Sequence, residues 1–498
     1  MGGFFGVAKR QSCVNDLFYG VDYNSHMGTK RAGMVTVTTD GVFSRSIHNI
    51  ENSYFRTKFE SDLDEFSGNS GIGVISDTDA QPIIINCRLG KFAIVTVARL
   101  VNINELVEHL LDENQHFCEH SYDIVNPTEV IASLISMGSD IVDGINNVFR
   151  RVKGSCSMLL LFDNGDIIAA RDRLGRTPII LGHDPQAQAW AATSETCAFP
   201  NLGFEAAYNV GPGEIVRLNA EGYDVMQPAG KDMQICAFLW TYYGYPPCEY
   251  EGRNVDEMRH ALGMAMGRRD DTEIDFVSPV PDSGIGMALG YSEGKKIPYR
   301  RGIVKYTPTW PRSFTPSTQE RRELVAKMKL ITNKALLRDK KVAFCDDSIV
   351  RGTQLRDNVK DIMDSGAQSV HVRISCPPLI YPCLYLNFTN SRSERELITR
   401  RVIDEIEDEK RAGAHATDTR DVIPGSDTPA GGCSCCDPAV LARYADASTP
   451  EYAEMVERIR RRLGLTSLKF NTIGELVDAI GLPKECVCTH CFDGSSHF

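Results

Sequence analysis

The sequence predicts an α/β chain of two layered units, a mixed α+β unit followed by a unit with a parallel sheet. Up to about residue 230, short apolar or alternating strands are separated by Gly and Asn turns and by helical stretches. From 236 to 378 the pattern changes to strand, helix, strand, which is typical of a parallel sheet covered by helices. With 498 residues, 42% of them hydrophobic, the chain can bury a separate core in each unit.

Hydrophobic periodicity predicts the individual elements of both units. In the first unit it predicts strands at 71–75, 92–97, 156–162 and 167–170, and helices at 103–111 and 128–136. In the second unit it predicts strands at 274–280, 342–345 and 370–374, and helices at 285–291 and 354–364.

The pattern changes again after about residue 390. A charge-rich helix is predicted at 393–411, and the Gly, Pro, Asp and Thr-rich segment 412–437 is expected to be a flexible, solvated insertion. Helices are predicted again at 451–463 and 473–480, before a final cluster of cysteines. The expected domain borders are 1–235, 236–390, 391–450 and 451–498.

Composition excludes several classes of partner. A formal net charge of -12 argues against nucleic acid, because neutralising its phosphates needs clustered Lys and Arg. Apolar stretches such as 158–162 are far shorter than a membrane span, and no signal peptide is recognisable, so we expect a cytoplasmic protein. In that compartment the 16 cysteines are expected to be thiols or metal ligands rather than a disulfide framework.

Two adjacent acids follow a predicted strand in the segment 342–353 (VAFCDDSIVRGT). Ligands of open α/β sheets bind at the carboxyl edge of the strands, where Asp346 and Asp347 are expected to lie. Adjacent carboxylates suit the vicinal hydroxyls of a ribose and the water shell of Mg²⁺. The small residues after them let backbone NH groups converge on a phosphate at the start of the next helix. The candidate binding residues are Asp346, Asp347, Ser348, Ile349, Val350, Arg351, Gly352 and Thr353.

An acid pair at a strand end is usually only solvated, and this alternative applies here too. The ordered succession of strand, acid pair, Gly-Thr loop and helix favours a sugar-phosphate site instead.

A second turn, VPDSG at 280–284, also lies between a predicted strand and a predicted helix. Asp282, Ser283 and Gly284 could offer backbone NH groups to a pyrophosphate, although this motif alone is an ordinary turn. Between the two turns lies the loop KYTPTWPRSFTP at 305–316, with Lys305 and Arg312 as cations. We expect this loop to close over a pyrophosphate leaving group; a rigid surface loop is the alternative.

Together these segments resemble the amidophosphoribosyltransferase family, and the resemblance covers nearly the whole chain. Members join an N-terminal-nucleophile glutaminase domain, an αββα sandwich, to a type I phosphoribosyltransferase domain with a parallel sheet. In the C-terminal half the resemblance rests on CDDSIVRGT, VPDSG and HVRISCPPLIYPC. In the N-terminal half it rests on GIG at 71–73, ARDRLGRTP at 170–178, ATSET at 192–196 and GPGEIV at 211–216.

The resemblance implies a reaction that opens purine synthesis, with phosphoribosyl pyrophosphate, glutamine and water giving phosphoribosylamine, glutamate and pyrophosphate. It assigns Asp346 and Asp347 to the ribose hydroxyls and Mg²⁺, and 348–353 to the 5'-phosphate. Residues 282–284 with Lys305 and Arg312 would hold the pyrophosphate, and the two cations are the candidate catalytic residues. It also implies a homo-oligomer.

The glutaminase half departs from the family pattern at five chemical positions. Gly2 stands where the family has its nucleophilic Cys, and a glycine has no side chain that could attack an amide. Met27 replaces the Arg of a His-Arg-Gly segment, which leaves His26 as a structural remnant. The other departures are residues 74–77 in place of a His-Val-Arg-Tyr segment, Val97 and Ala98 in place of the oxyanion-hole Asn-Gly, and Pro127 in place of an acid. We therefore expect that the chain does not hydrolyse glutamine. The expected nucleophile is ammonia, which is either free or supplied by a partner glutaminase.

The C-terminal CxxC of Cys488 and Cys491 suits zinc, redox chemistry or an iron-sulfur cluster. The resemblance implies a structural 4Fe-4S cluster, with Cys236 and Cys383 as its other two ligands. Four unconnected buried thiols are the alternative. The CSCC group of Cys433, Cys435 and Cys436 has no family counterpart, and could bind zinc or consist of reactive surface thiols.

Two functional alternatives remain open from the sequence. A different amine could accept the phosphoribosyl group. Alternatively, the chain could be a non-catalytic regulator that senses phosphoribosyl pyrophosphate, although such a regulator would not need Lys305 and Arg312.

Overall fold

The computed structural model describes residues 2–121, 124–306, 330–386, 394–417 and 437–495. The strands up to residue 227 are β1 (Gly2–Lys9), β2 (Arg31–Val37), β3 (Phe43–Asn49), β4 (Ser70–Ser76), β5 (Ile83–Cys87), β6 (Gly90–Leu100), β7 (His120–Ser121), β8 (Ile124–Val125), β9 (Gly154–Phe162), β10 (Ile167–Ala170), β11 (Ile180–Asp184), β12 (Ala189–Thr193), β13 (Glu205–Asn209), β14 (Ile215–Asn219) and β15 (Gly222–Gln227). The helices are α1 (Val14–Asp22), α2 (Phe55–Phe59), α3 (Ile103–Asp112), α4 (Pro127–Ser136), α5 (Ile141–Arg151) and α6 (Phe199–Leu202), with 3₁₀ turns at Glu60–Glu65 and Thr196–Ala198.

Two antiparallel sheets form the N-terminal unit, one ordered β13-β11-β12-β1-β4-β2-β3 and the other β15-β14-β10-β9-β6-β5. Alternate residues of their strands face each other across a buried core that includes Phe4, Val35, Val95 and Leu159. Helix α1 packs on β1 and β4 outside the first sheet, and α4 packs on β5 and β6 outside the second. The expected αββα sandwich is therefore confirmed.

The second unit contains further strands: β16 (Ile235–Cys236), β17 (Glu249–Tyr250), β18 (Arg253–Asn254), β19 (Phe276–Pro279), β20 (Ile303–Lys305), β21 (Leu330–Thr332), β22 (Lys341–Asp346), β23 (Ser369–Ile374), β24 (Ser467–Phe470) and β25 (Val487–Cys488). Its helices are α7 (Val255–Arg269), α8 (Ile285–Lys295), α9 (Lys334–Leu337), α10 (Thr353–Asp364), α11 (Ile398–Thr417), α12 (Pro438–Ala445), α13 (Pro450–Arg462), α14 (Ile473–Ile480) and α15 (His490–Asp493). Leu239–Tyr243 is a π-helical turn, and 3₁₀ turns occupy Glu394–Glu396 and Lys484–Cys486.

A four-stranded parallel sheet, ordered β19-β22-β23-β24, organises this unit. Strand β22 is buried on both faces: Ala343 lies in a core with α7 and α8, while Val342 and Phe344 lie in a core with α10. This explains the continuous apolar run before the acid pair, because a central parallel strand is covered on both sides. The carboxyl end of β22 delivers Asp346 to the edge of the sheet.

The predicted elements are confirmed, with end positions shifted by a few residues. The exception is the segment 412–437, expected as a loop: α11 continues to Thr417, Asp437 caps α12, and residues 418–436 lie outside the described part of the chain. The expected tail 451–498 supplies β24 to the parallel sheet and β25 to a parallel pair with β16.

Among the described residues, none of the helices combines the length and the apolar character that crossing a bilayer requires.

Candidate active site

An open cavity of about 660 Å³ lies at the carboxyl edge of the parallel sheet. Nearly all the residues that the sequence predicts for the sugar-phosphate site line it. They are Asp282, Ser283, Lys305, Asp346, Asp347, Ser348, Ile349, Val350, Arg351, Gly352 and Thr353. Two segments about 60 residues apart thus form one site, because β19 and β22 are parallel neighbours that end at the same edge.

The adjacent carboxylates at this edge have different surroundings. Asp346 Oδ1 accepts hydrogen bonds from Ser283 Oγ at 3.1 Å and from the backbone NH of Asp347 at 2.9 Å. Burial, followed by the neighbouring Asp347 charge, raises the pKa of Asp346 well above its usual range. The Asp347 side chain accepts a hydrogen bond of 2.5 Å from Ser348 Oγ. A cation or a pair of hydroxyl donors in the cavity would relieve the repulsion between the two acids.

The loop after the acid pair ends at Gly352, which is the N-cap residue of α10. Its φ of 76° lies in the left-handed region, and no side chain at this position covers the helix N-terminus. A Cβ at this position would lie 2.6 Å from Ile398 Cδ1, so both conformation and space favour glycine. The helix therefore presents its free N-terminal NH groups beside the cavity, an arrangement suited to a phosphate.

The turn after β19 approaches the backbone of β22 closely. The Val280 NH donates a hydrogen bond to Cys345 O on β22 at 2.8 Å. Within the turn, the Gly284 NH donates a hydrogen bond to Val280 O at 2.9 Å. A Cβ on Gly284 would lie 2.0 Å from Cys345 O. Gly284 does not line the cavity; instead it allows the turn that carries Asp282 and Ser283 to lie against β22.

Of the two predicted loop cations, Lys305 is placed and Arg312 lies outside the described residues. Lys305 Nζ lies 2.6 Å from Asp282 Oδ2, and both side chains are largely exposed. Lys305, the last residue of β20, therefore contacts the 280–284 turn, which the sequence predicts to bind pyrophosphate.

The cavity also includes Tyr242, Gln354, Leu355 and Asn358, which the sequence analysis missed. Gln354 and Asn358 are four residues apart on α10 and share a helix face, so the periodicity could have identified them. Tyr242 comes from a distant π-helical turn, and its position depends on how that segment packs.

The four cysteines predicted as cluster ligands also converge. Cys236, Cys383, Cys488 and Cys491 line one small cavity, and the β16–β25 pair sets Cys236 opposite Cys488. Cys383 Sγ accepts a hydrogen bond from the Leu386 NH at 3.2 Å. The Cys491 thiol and backbone NH groups lower the pKa of Cys383 to about 6. Four soft donors around one cavity, one of them favoured as a thiolate, fit a thiolate-ligated cluster.

In the N-terminal unit, Gly2, Val97 and Ala98 line a small cavity with Ser76, Thr78 and Thr96. A Cβ on Gly2 would lie 2.6 Å from Ile75 O, because β1 approaches β4 closely at their first residue pair. Pro127 is the first residue of α4 and does not line this cavity. His26 also lies elsewhere, with its Nε2 at 2.8 Å from Glu195 Oε2.

The fold and the site together define an α/β glycosyltransferase fused to an amidotransferase-type sandwich. Residues 70–201 match the family model of the glutamine amidotransferase domain. The chain is 30% identical to the amidophosphoribosyltransferase of Methanothermobacter thermautotrophicus, over 99% of this chain and 93% of the relative. It is 32% identical to that of Methanocaldococcus jannaschii, over 77% of this chain and 86% of the relative.

A solved structure gives the same result for the whole fold. Glutamine phosphoribosylpyrophosphate amidotransferase from B. subtilis, complexed with ADP and GMP, superimposes with a TM-score of 0.80 at 27% identity. The match covers 99% of this chain and 96% of that chain. The chain belongs to the amidophosphoribosyltransferase family.

Proposed function

We propose that the chain transfers a phosphoribosyl group from Mg²⁺-bound phosphoribosyl pyrophosphate to ammonia, giving phosphoribosylamine and pyrophosphate for purine synthesis. The observation that supports this most is the cavity at the sheet edge, where the acid pair, the phosphate loop and Lys305 all meet. Asp346 and Asp347 would bind the ribose hydroxyls, and the NH groups at the start of α10 would bind the 5'-phosphate.

Displacement breaks the bond from the anomeric carbon to the pyrophosphate oxygen and forms a bond to the nitrogen, which gives up a proton to water. Negative charge grows on the leaving pyrophosphate. Lys305, the 282–284 turn and Arg312 would stabilise that charge, which is the main contribution the protein can make to such a step. Mg²⁺, held through Asp346 and Asp347, would when bound neutralise part of the pyrophosphate charge.

The amine is proposed to be ammonia, supplied free or by a partner glutaminase, because Gly2 lies in the small cavity where the family has its nucleophilic Cys. A glycine there provides no thiol that could attack a glutamine amide. We also propose that Cys236, Cys383, Cys488 and Cys491 hold a 4Fe-4S cluster that links the domain junction to the tail. Purified anaerobically, the protein should be brown and contain about four irons per chain. A colourless, iron-free but folded protein would contradict this assignment.

Pyrophosphate release tests the transferase proposal. The protein is incubated with phosphoribosyl pyrophosphate and Mg²⁺, together with ammonium, glutamine or neither, and products are identified by mass spectrometry. We expect phosphoribosylamine with ammonium and no glutamate with glutamine. Asp346→Asn should abolish turnover, whereas Asp357→Asn, on an exposed face of α10, should retain it.

Other outcomes identify the alternatives. A product with another amine, and none with ammonium, would show a different acceptor. Tight binding of phosphoribosyl pyrophosphate without turnover across a panel of amines would show a sensing regulator rather than an enzyme.

A further inference from the structure

Two thiols and a carboxylate converge where the N-terminal sandwich meets the segment that leads into α7. Glu195 and Cys197 follow β12, and Cys248 lies just before β17. All three side chains are buried, and one ligand atom from each lies within 4.8 Å of the other two. Neither the proposed transferase site nor the proposed iron-sulfur site uses any of them, and they do not line the small cavity at Gly2.

The distances within this cluster match those of a tetrahedral metal site. Glu195 Oε2 lies 3.4 Å from Cys248 Sγ and 3.7 Å from Cys197 Sγ. A tetrahedral zinc ion at about 2.3 Å from sulfur and about 2.0 Å from a carboxylate oxygen would place such ligand atoms roughly 3.5 Å apart. Little movement would be needed to bind an ion among these three atoms.

The carboxylate is held in place on its other side. Tyr250 donates a hydrogen bond to Glu195 Oε1, which leaves Oε2 as the oxygen shared by the two thiols. A carboxylate fixed by a second interaction is typical of a metal ligand, because the outer contact sets its orientation.

His26 supplies an independent sign of a missing partner. Its Nε2 lies 2.8 Å from Glu195 Oε2 but not in hydrogen-bond geometry. This buried nitrogen has no hydrogen-bond partner among the residues that the structure describes. Leaving a buried imidazole nitrogen unsatisfied costs free energy, and a bound cation would remove that cost.

We propose that Glu195, Cys197 and Cys248 hold one divalent, zinc-type structural ion, and that the His26 ring, which contacts Glu195 but lies outside the group within 4.8 Å, turns to become the fourth ligand. Two thiolates, a carboxylate and a neutral imidazole around Zn²⁺ leave a net charge of about -1. The buried guanidinium of Arg259 is attracted to Asp347 more strongly than to Glu195, so it offsets only part of this charge. Because its four ligands all come from the protein, the site would be closed and structural rather than catalytic.

The location gives the ion a mechanical function. It would join the loop after β12 of the sandwich to the start of the transferase unit, two segments about 50 residues apart in sequence. Metal binding would thereby contribute to the stability of the domain junction. His26, a remnant of a catalytic segment by resemblance, would serve as a ligand here.

Metal analysis of the full-length protein, produced with zinc and purified in the presence of a reductant, tests this site. Because the CSCC group is a second candidate zinc site, all the proteins carry Cys433→Ser/Cys435→Ser/Cys436→Ser. In that background we expect about one zinc per chain, and none after Cys197→Ser/Cys248→Ser. The matched control Cys13→Ser, which removes a buried thiol outside the cluster, should keep its zinc. Cys488→Ser should lose iron and keep zinc, which separates the two metal sites.

Two further measurements guard against variants that fail to fold. Glu195→Gln keeps the shape and the contact with Tyr250 but loses the anionic oxygen, and its zinc affinity should fall by at least roughly tenfold. In the background without the CSCC thiols, replacing zinc with Co²⁺ should give the strong visible bands of a four-coordinate ion and a sulfur-to-metal charge-transfer band. Zinc-free protein in that background, zinc retained after Cys197→Ser/Cys248→Ser, or a native Cys197–Cys248 disulfide found by non-reducing peptide mapping would overturn the proposal.

Discussion

Single residues at the sheet edge decide whether the 280–284 turn can pack against the end of β22, beside the acid pair. Gly284 is one of them, because the carbonyl of Cys345 occupies the space that any side chain at position 284 would need. The proposed ligand-binding side chains are those of neighbouring residues such as Asp282 and Asp346. Their relative position depends on the absence of a side chain at Gly284.

Gly284→Ala should displace the 280–284 turn, destabilise the fold by about 1–3 kcal/mol and weaken binding of phosphoribosyl pyrophosphate. The Cβ would otherwise lie 2.0 Å from Cys345 O. Thermal unfolding and ligand titration check both effects. Gly222→Ala is the matched control, since nothing lies within 4 Å of a Cβ there, and it should change neither quantity. Normal ligand binding by Gly284→Ala would show that the turn is not required.

His371 on β23 makes stability depend on pH. Its ring nitrogens contact Ser369 Oγ at 2.9 Å and Ser467 Oγ at 2.8 Å, and burial, followed by the Arg373 charge, lowers its pKa to about 4. The unfolded chain binds this proton at a pKa of about 6.5. The contribution is therefore fully present above about pH 6.5 and is lost as pH falls toward about 4.

Between pH 7 and pH 5 this single group should cost about 2 kcal/mol of stability. Thermal unfolding of wild-type protein and His371→Asn, measured at both pH values, isolates the effect from other titrating groups. The wild-type midpoint should fall more than that of the variant. An equal fall in both proteins would rule out His371 as the source.

At the scale of elements, one buried carboxylate connects the end of α7 to three neighbours. Asp270 contacts Arg373 on β23, Tyr291 on α8 and Lys469 on β24. Both Asp270 and Arg373 are fully buried, and Arg373 holds the pKa of Asp270 well below its usual range although burial opposes this. The pair links β23 to the C-terminal end of α7.

Asp270→Asn should destabilise the protein by about 3–5 kcal/mol, because it leaves the Arg373 guanidinium buried without a counter-charge. The measurement is the midpoint of thermal or denaturant unfolding. Glu273→Gln removes the exposed ion pair with Lys341 nearby and should change stability by less than about 1 kcal/mol. Equal effects of the two substitutions would mean that burial does not govern this pair.

At the scale of the whole molecule, the N-terminal sandwich has the complete layered architecture of an amidotransferase-type domain. Both sheets, their core and the helices on the two outer faces are present. Its small cavity contains Gly2, Val97 and Ala98, the residues that the resemblance aligns with the nucleophile and the oxyanion hole. The sandwich contacts the transferase unit at the junction near Cys236 and Cys248.

Gly2→Cys alone should not produce glutaminase activity. Its Cβ would lie 2.6 Å from Ile75 O. The proposed loss of the groups that bind and polarise glutamine would also remain uncorrected. Glutamate release from glutamine, assayed in an untagged preparation after removal of the initiator Met, checks this. Turnover in the variant would show that the missing nucleophile was the sole defect.

The sequence predicted local features well because their determinants are contiguous. The ends of α14 and of β10 coincide with the predicted segments, since periodicity alone sets them. The missed α12 follows a stretch rich in small and polar residues, whose composition concealed the helix start capped by Asp437. The missed cavity residue Tyr242 depends on packing between distant segments.

By itself, the sequence determined the acid pair, the phosphate loop and the helix that follows, because strand, turn and helix signals all lie within residues 342–364. Only the tertiary structure decided which distant groups meet. Parallel pairing with β22 brings the 280–284 turn beside the acids, and the β16–β25 pair sets Cys236 opposite Cys488. Packing of the sandwich against the next unit brings Glu195 and Cys197 to Cys248. Such contacts follow from register and from cores shared across many residues, which no local pattern encodes.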